Sequence, residues 1–222
     1  MSVDFGWAVK QPFSNMKKLG IGTILGAIPI VSMLTVMGYA LNSAKSAVGK
    51  KALPEWNNWG DIIVKSLLGL VITLIYMIPA LIVGAVLIGS AFIAIMTAIS
   101  TGGNMAGFSF GNFMGGLMIF FLLVLVTAFF LPAALTMYAL KNKFGEAFNF
   151  GAIFKRAFTG DYIVAWIVAG VYSFVLMIIA SMVSLAVGMV PAIGFLLAWI
   201  VTGFAAFVSY VTCYSIFGQL KY

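Results

Sequence analysis

Residues 66–99, SLLGLVITLIYMIPALIVGAVLIGSAFIAIMTAI, decide the fold. They contain no charged side chain, and after Lys65 the next charge is Lys141. The run is apolar on every face, so it has neither the one-sided stripe of a surface helix nor the alternation of a half-buried strand. A continuous apolar stretch of more than about 18 residues reads as a membrane span. Strands of a membrane β-barrel would alternate apolar and polar residues over about ten positions, which this run does not do. Counted from Ile62, the run is about 57 Å long as one helix, against a hydrocarbon core of about 30 Å. Two readings are open: one strongly tilted, kinked helix, or two shorter helices. Pro79, Gly84 and Gly89 are the places to bend or break.

Further apolar runs lie at about 19–41, 113–140, 162–187 and 193–218. The chain is 64% hydrophobic and only 8% charged. Soluble domains carry about 25% charge, so this surface is covered largely by lipid. The expected fold is all-α: a polytopic transmembrane bundle forming one domain over residues 1–222, with four to five full spans. Residues 4–18 read as an interfacial arm, with Phe5, Val9 and Phe13 on a loose stripe. Residues 42–61 and 141–161 are the polar, basic connections. Gly188–Ala192 is a short uncharged turn, so the last two runs read as an antiparallel hairpin.

The net charge is +7, from 12 basic and 5 acidic residues. No basic soluble domain carries it, so nucleic-acid binding is not expected. Basic residues flanking spans instead hold loops in the cytoplasm, near anionic lipid. Segment 42–61 has three lysines and segment 141–161 has four basic residues, whereas 100–112 and 188–192 have none. The first two are expected inside and the last two outside. The first run conflicts with this, because Lys10, Lys17 and Lys18 also belong inside while a full span would put them outside. A first helix that is re-entrant, turning near Pro29, removes the conflict. The alternatives are an N-terminus held outside, or a second run that crosses twice. Non-helical backbone at membrane depth requires protein or a water-filled cavity around it.

Gly107, Gly111 and Gly115 recur at helical spacing and mark a smooth ridge for close helix packing. Runs one, three and five each bring a threonine and a tyrosine to their ends: Thr35 and Tyr39, Thr136 and Tyr138, Thr212 and Tyr214. These tyrosines read as interfacial anchors, or as the trace of a divergent duplication whose ends all face the cytoplasm. Segment 53–61, LPEWNNWGD, concentrates the candidate interfacial or partner-binding residues Glu55, Trp56, Trp59 and Asp61; Lys155 and Arg156 join them from the second basic segment. As chemistry, Glu55 and Asp61 can bind a cation or pair with Lys50, Lys51 or Arg156. As structure, Pro54 starts a helix and Asn58 or Asp61 caps one.

The string LPEWNNWGDI follows a glycine-rich first run containing Pro29 and ending GYAL. Together they resemble a family of uncharacterised prokaryotic integral membrane proteins, domain-of-unknown-function family 4013. The resemblance implies a multi-pass protein of an archaeal or bacterial cytoplasmic membrane, and no established activity. Similar proteins carry acids where this chain has Asn57 and Asn58, which argues against an acidic metal cluster here.

No cofactor or metal is expected, and no catalysis. There is no histidine, the commonest general base and metal ligand. The lone Cys213 lies within an apolar run and reads as inert. The expected role is a non-catalytic component binding membrane lipids or a partner membrane protein, or forming a homo-oligomer. The alternative is a small transporter or channel using helices broken at Pro29 and Pro79. The two differ in their interior. A transporter needs a polar mid-membrane cavity, lined by residues such as Thr73, Tyr76, Ser90, Thr127, Thr136 or Ser181. A scaffold needs a dry interior and a lateral groove or interface.

Overall fold

The computed structural model describes residues 3–100, Gly102 and 109–220, and every regular element among them is helical. In chain order these are α1 (Phe5–Lys10), a 3-10 turn at Gln11–Ser14, α2 (Met16–Ala27), α3 (Pro29–Val48), α4 (Trp59–Ser100), α5 (Phe110–Lys141), a second 3-10 turn at Phe144–Phe148, α6 (Phe150–Ala157), α7 (Gly160–Gly188) and α8 (Gly194–Gly218). Four of them, α4, α5, α7 and α8, are long and apolar enough to cross a membrane, with mean hydropathies of 2.7, 2.7, 2.5 and 1.9 over their most apolar windows. The chain is thus built as a multi-pass helical membrane protein. It divides into two compact units: Met1–Ile72 with Pro132–Tyr222, and Thr73–Leu131.

In the larger unit the first apolar run is broken at Ile28, whose extended backbone (φ −101°, ψ 110°) separates α2 from α3. Proline supplies the break, since Pro29 has no N–H to continue α2 but suits the first turn of α3. The two limbs form a hairpin against α8. Gly22 packs on Phe207 and Gly26 on Gly203, so α2 runs antiparallel to α8; Ala44 meets Gly218, so α3 returns alongside it. A Cβ at Gly26 would lie 2.6 Å from the Gly203 carbonyl oxygen, so both positions need glycine for the backbones to touch. The tip therefore sits beside Gly203, about 22 Å from the Gly218 end at 1.5 Å per residue. The run enters and leaves at one end of α8, the arrangement expected of a first helix that turns back near Pro29.

Helices α7 and α8 form the antiparallel hairpin expected of the last two runs. Ser209 Oγ donates to Ser173 Oγ at 2.8 Å, and Ser173 Oγ lies 3.1 Å from Cys213 Sγ. Small hydroxyl and thiol groups let the helices approach and tie them across the apolar interior, at roughly 0.6 kcal/mol per bond.

The smaller unit holds the C-terminal part of α4 and the N-terminal part of α5. Pro79 lies inside α4, which continues unbroken through it for 42 residues. The break expected at Pro79 is therefore absent, and run two is one helix. Proline costs a long membrane helix one backbone bond, which local adjustment re-satisfies. Pro132 is likewise internal to α5. Thr127 Oγ1 donates to the Tyr76 carbonyl at 3.0 Å, pinning the two helices together. Gly107 lies outside the described residues. Gly111 and Gly115 have no neighbour that an added Cβ would crowd, and the close approach falls at Gly116, against Leu87.

Candidate functional site

Charge and aromatic rings collect in the larger unit, where α8 ends. The segment after α3 folds back over the start of α2. Lys18 is buried, donates to the Leu53 carbonyl at 2.7 Å and pairs with the outward-facing Glu55 at 2.6 Å. Trp56 Nε1 donates to the Lys18 carbonyl at 3.2 Å. The Trp56 ring stacks on Tyr39 with centroids 3.9 Å apart, and Tyr39 Oη donates to the Pro54 carbonyl at 2.9 Å. Trp59 stacks on the outer side of Trp56 and remains 42% exposed. Phe207 of α8 closes the cluster from within, 5.6 Å from Tyr39. Pro54 starts no helix; the cap of α4 is Asn58, whose Oδ1 accepts from the Asp61 N–H at 3.3 Å.

Beside this knot lies a polar triad. Lys65, buried on α4, donates to Asp61 Oδ2 at 2.7 Å and to Asn42 Oδ1 at 2.6 Å, while Asn42 Nδ2 donates to the same carboxylate at 2.9 Å. The lysines that Glu55 and Asp61 select are thus Lys18 and Lys65, not Lys50, Lys51 or Arg156. Both carboxylates are spoken for by ammonium groups, and no cluster of three metal-ligating side chains occurs among the described residues. Arg156 is buried on α6 and donates to the Phe217 carbonyl at 2.6 Å, capping the last turn of α8. Lys155, next to it, is exposed.

The N-terminal arm latches the same end. Asp4 N–H donates to Gln219 Oε1 at 2.9 Å, Gln219 Nε2 returns a bond to the Asp4 carbonyl, and Gln11 donates to the Lys51 carbonyl. Lys50, bonded to the Asp4 carboxylate at 2.6 Å, holds its pKa below the ordinary value; Lys141 does the same for Glu146 at 2.7 Å. The ends of α3 and α5 meet through Lys45 and Asn142 at 2.7 Å. Tyr39, Tyr138 and Tyr214 are all buried, so they are core residues and not the interfacial anchors their span-end positions imply.

The 53–61 string at the centre of this knot is the part of the sequence that carried the family resemblance. The profile of a protein family of unknown function, DUF4013, matches residues 21–185. The chain belongs to that family. The DUF4013 match takes in the α2–α3 hairpin from Ile21, the Tyr39, Trp56 and Trp59 rings of the knot, both basic segments and most of α7. No curated protein and no solved structure matches the chain.

The smaller unit has a different character. A groove of about 710 Å³ runs between α4 and α5, lined by hydrocarbon alone, including Leu81, Ala91, Phe92, Phe113, Leu117 and Phe120. A second hollow of about 430 Å³ adds Ser90, Ser109 and Asn112 at the end nearer the α4–α5 connection. The hydroxyls of the sequence's cavity candidates turn to helix backbone: Ser90 to Leu87, Thr136 to Pro132, Ser181 to Met177 and Thr127 to Tyr76.

Proposed function

We propose that this protein is a non-catalytic membrane component whose 73–131 helix pair docks an apolar guest, either a lipid chain or a helix of a partner membrane protein. The observation that carries this is the α4–α5 groove. It is within the 300–1,000 Å³ of ordinary ligand pockets, yet no polar side chain lines it to orient a soluble substrate. Its lining also opens outward as hydrocarbon: Ile88 is 74% and Phe92 60% exposed. The length of α4 supports the same reading. Residues 66–100 alone measure about 52 Å, whereas a helix tilted by 40° crosses a 30 Å core in about 39 Å. Apolar turns left outside the core need a cover.

The test is a photo-crosslinking amino acid at Ala91, in the groove, with the protein in its own membranes. The expected product is a stoichiometric adduct with lipid or with one membrane protein. Labelling of a cysteine placed at position 91, in a Cys213→Ala background, by a small water-soluble thiol reagent, with no crosslinked adduct from the photo-reactive variant, would overturn the reading.

The break between α2 and α3 favours a second reading, a small transporter, because discontinuous helices at membrane depth line substrate paths in transporters. That reading loses the second break it called for, at Pro79. Substrate flux in proteoliposomes that depends on residues 24–32 would establish it.

A further inference from the structure

The short helix α6 carries an exposed aromatic flank that the docking groove does not use. At about 100° per residue, Phe150, Phe154 and Phe158 fall within one arc of about 80°. They are 54%, 46% and 66% exposed, and the last two stack in parallel at 6.1 Å. This arc adjoins the buried one of Ile153, Arg156 and Ala157, through which α6 is fixed to α8. Lys155 lies outside both arcs, on the remaining face. The apolar positions Ile153, Ala157, Phe150, Phe154 and Phe158 thus cover an arc of about 140°, with Arg156 at its buried edge and the Lys155 cation on the remaining face.

Two observations say what covers the flank. Helix α7, a membrane-crossing helix, begins at Gly160, two residues beyond Phe158, so α6 lies where the chain enters the bilayer. A helix with this pattern sits in the interface, rings among the upper acyl chains and cation at the headgroups. The second observation is charge. Of the five acidic residues, Asp4, Glu55, Asp61 and Glu146 each pair with a lysine, and Asp161, exposed in the first turn of α7, is in no ion pair among the described residues. Lys10, Lys17, Lys51, Lys143 and Lys155 are exposed and, among the described residues, in no ion pair. All belong to segments bonded at the Gly218 end of α8, so five lysines against the single carboxylate of Asp161 leave a net positive collar around one end of the larger unit.

We propose that α6 is an anionic-phospholipid recognition helix, in which Lys155 and Lys143 hold headgroup phosphates while the phenylalanine flank inserts beneath them. Lys155 donates three N–H groups to phosphate oxygens, and the flank fixes the depth at which they are met. This site belongs to the larger unit and does not rest on the groove between α4 and α5.

The full chain is reconstituted in nanodiscs of phosphatidylcholine and phosphatidylglycerol at about 4:1. Phe154→Trp serves as a depth reporter, and selectivity is read from spin-labelled forms of both lipids. The reporter is expected to be blue-shifted and quenched by lipids brominated high on the acyl chain. Phosphatidylglycerol is expected to be enriched over phosphatidylcholine at the protein. Lys155→Gln should lower that enrichment about fivefold, the effect of removing one near-surface cation, and Lys155→Arg should keep it. A reporter unquenched by brominated lipid overturns the proposal, whether water or a partner protein covers it. So does an enrichment that survives Lys155→Gln combined with Lys143→Gln. The crosslinking result at Ala91 should be the same in all these variants, so failure here and failure of the docking reading are separable.

Discussion

Lys18 and Lys65 are the two buried ammonium groups on which the base of the larger unit depends, and they are held differently. Lys18 has one neutral carbonyl and one exposed carboxylate, whereas Lys65 has Asp61 and Asn42, which are also bonded to each other. Removing Asp61's charge leaves a buried cation with only an amide oxygen. Asp61→Asn is therefore expected to cost about 1–3 kcal/mol, read as a lower unfolding midpoint in mild detergent. Adding Lys65→Met should recover much of that loss, since taking away both partners removes the uncompensated charge. Equal destabilisation by the double variant would show that Lys65 acts by packing its stem. Trp56→Ala should cost more, about 3–5 kcal/mol, because the ring fills the space between Tyr39, Trp59 and Phe207 and its N–H holds the Lys18 carbonyl. Asp61 and Lys65, four positions apart on one helix, are neighbours by spacing alone, but the other partnerships could not be read along the chain. Lys18 and Glu55 are 37 positions apart, and the sequence offers Glu55 several nearer lysines. Which one it takes is decided by the hairpin that carries Lys18 under the 53–58 segment. The buried tyrosines misled for a related reason: a tyrosine at the end of a span suits a lipid interface and a packed helix end equally well.

At the scale of elements, the α2–α3 hairpin has the most demanding geometry. Its limbs reach α8 through Gly26 and Gly203, where backbone meets backbone. Gly203→Val would place a branched side chain against the α2 backbone, which cannot yield as a flexible side chain would. The expected outcome is overpacking that costs about 1–3 kcal/mol and releases the hairpin, read as protease cleavage within residues 19–30 in detergent. Gly20→Ala, where an added Cβ meets nothing, should leave both readouts unchanged. Charge pointed to this hairpin in the sequence as one of three readings, since three early lysines conflict with a simple span unless the N-terminus is held outside or the second run crosses twice. Proline alone was a poor guide. Pro29 ends a helix and Pro79 does not, because α2 docks along the larger unit and can stop there, while α4 continues as an apolar rod on both sides of its proline.

For the whole molecule, the α2–α3 hairpin predicts that the first run does not add a crossing to the four candidate spans. Were the first run a full span, Lys10 and Lys50 would face opposite sides of the membrane. In the structure Lys50 binds Asp4, and Gln11 binds the Lys51 carbonyl, so the arm and the 49–58 segment share one side. The same end carries the exposed lysines, so the positive-inside bias predicts that it faces the cytoplasm. Met189, in the uncharged turn between α7 and α8, is 85% exposed at the other end of that helical hairpin. In a Cys213→Ala background, cysteines at positions 10 and 50 are expected to react with an impermeant thiol reagent only after the cytoplasmic face is opened. A cysteine at 189 should react in intact cells. Reaction of position 10 from outside, with 50 remaining inside, would mean that residues 16–48 cross the membrane once as a span. The Asp4–Lys50 and Asp4–Gln219 contacts could not then form, because Asp4 would be separated from both partners by the thickness of the bilayer.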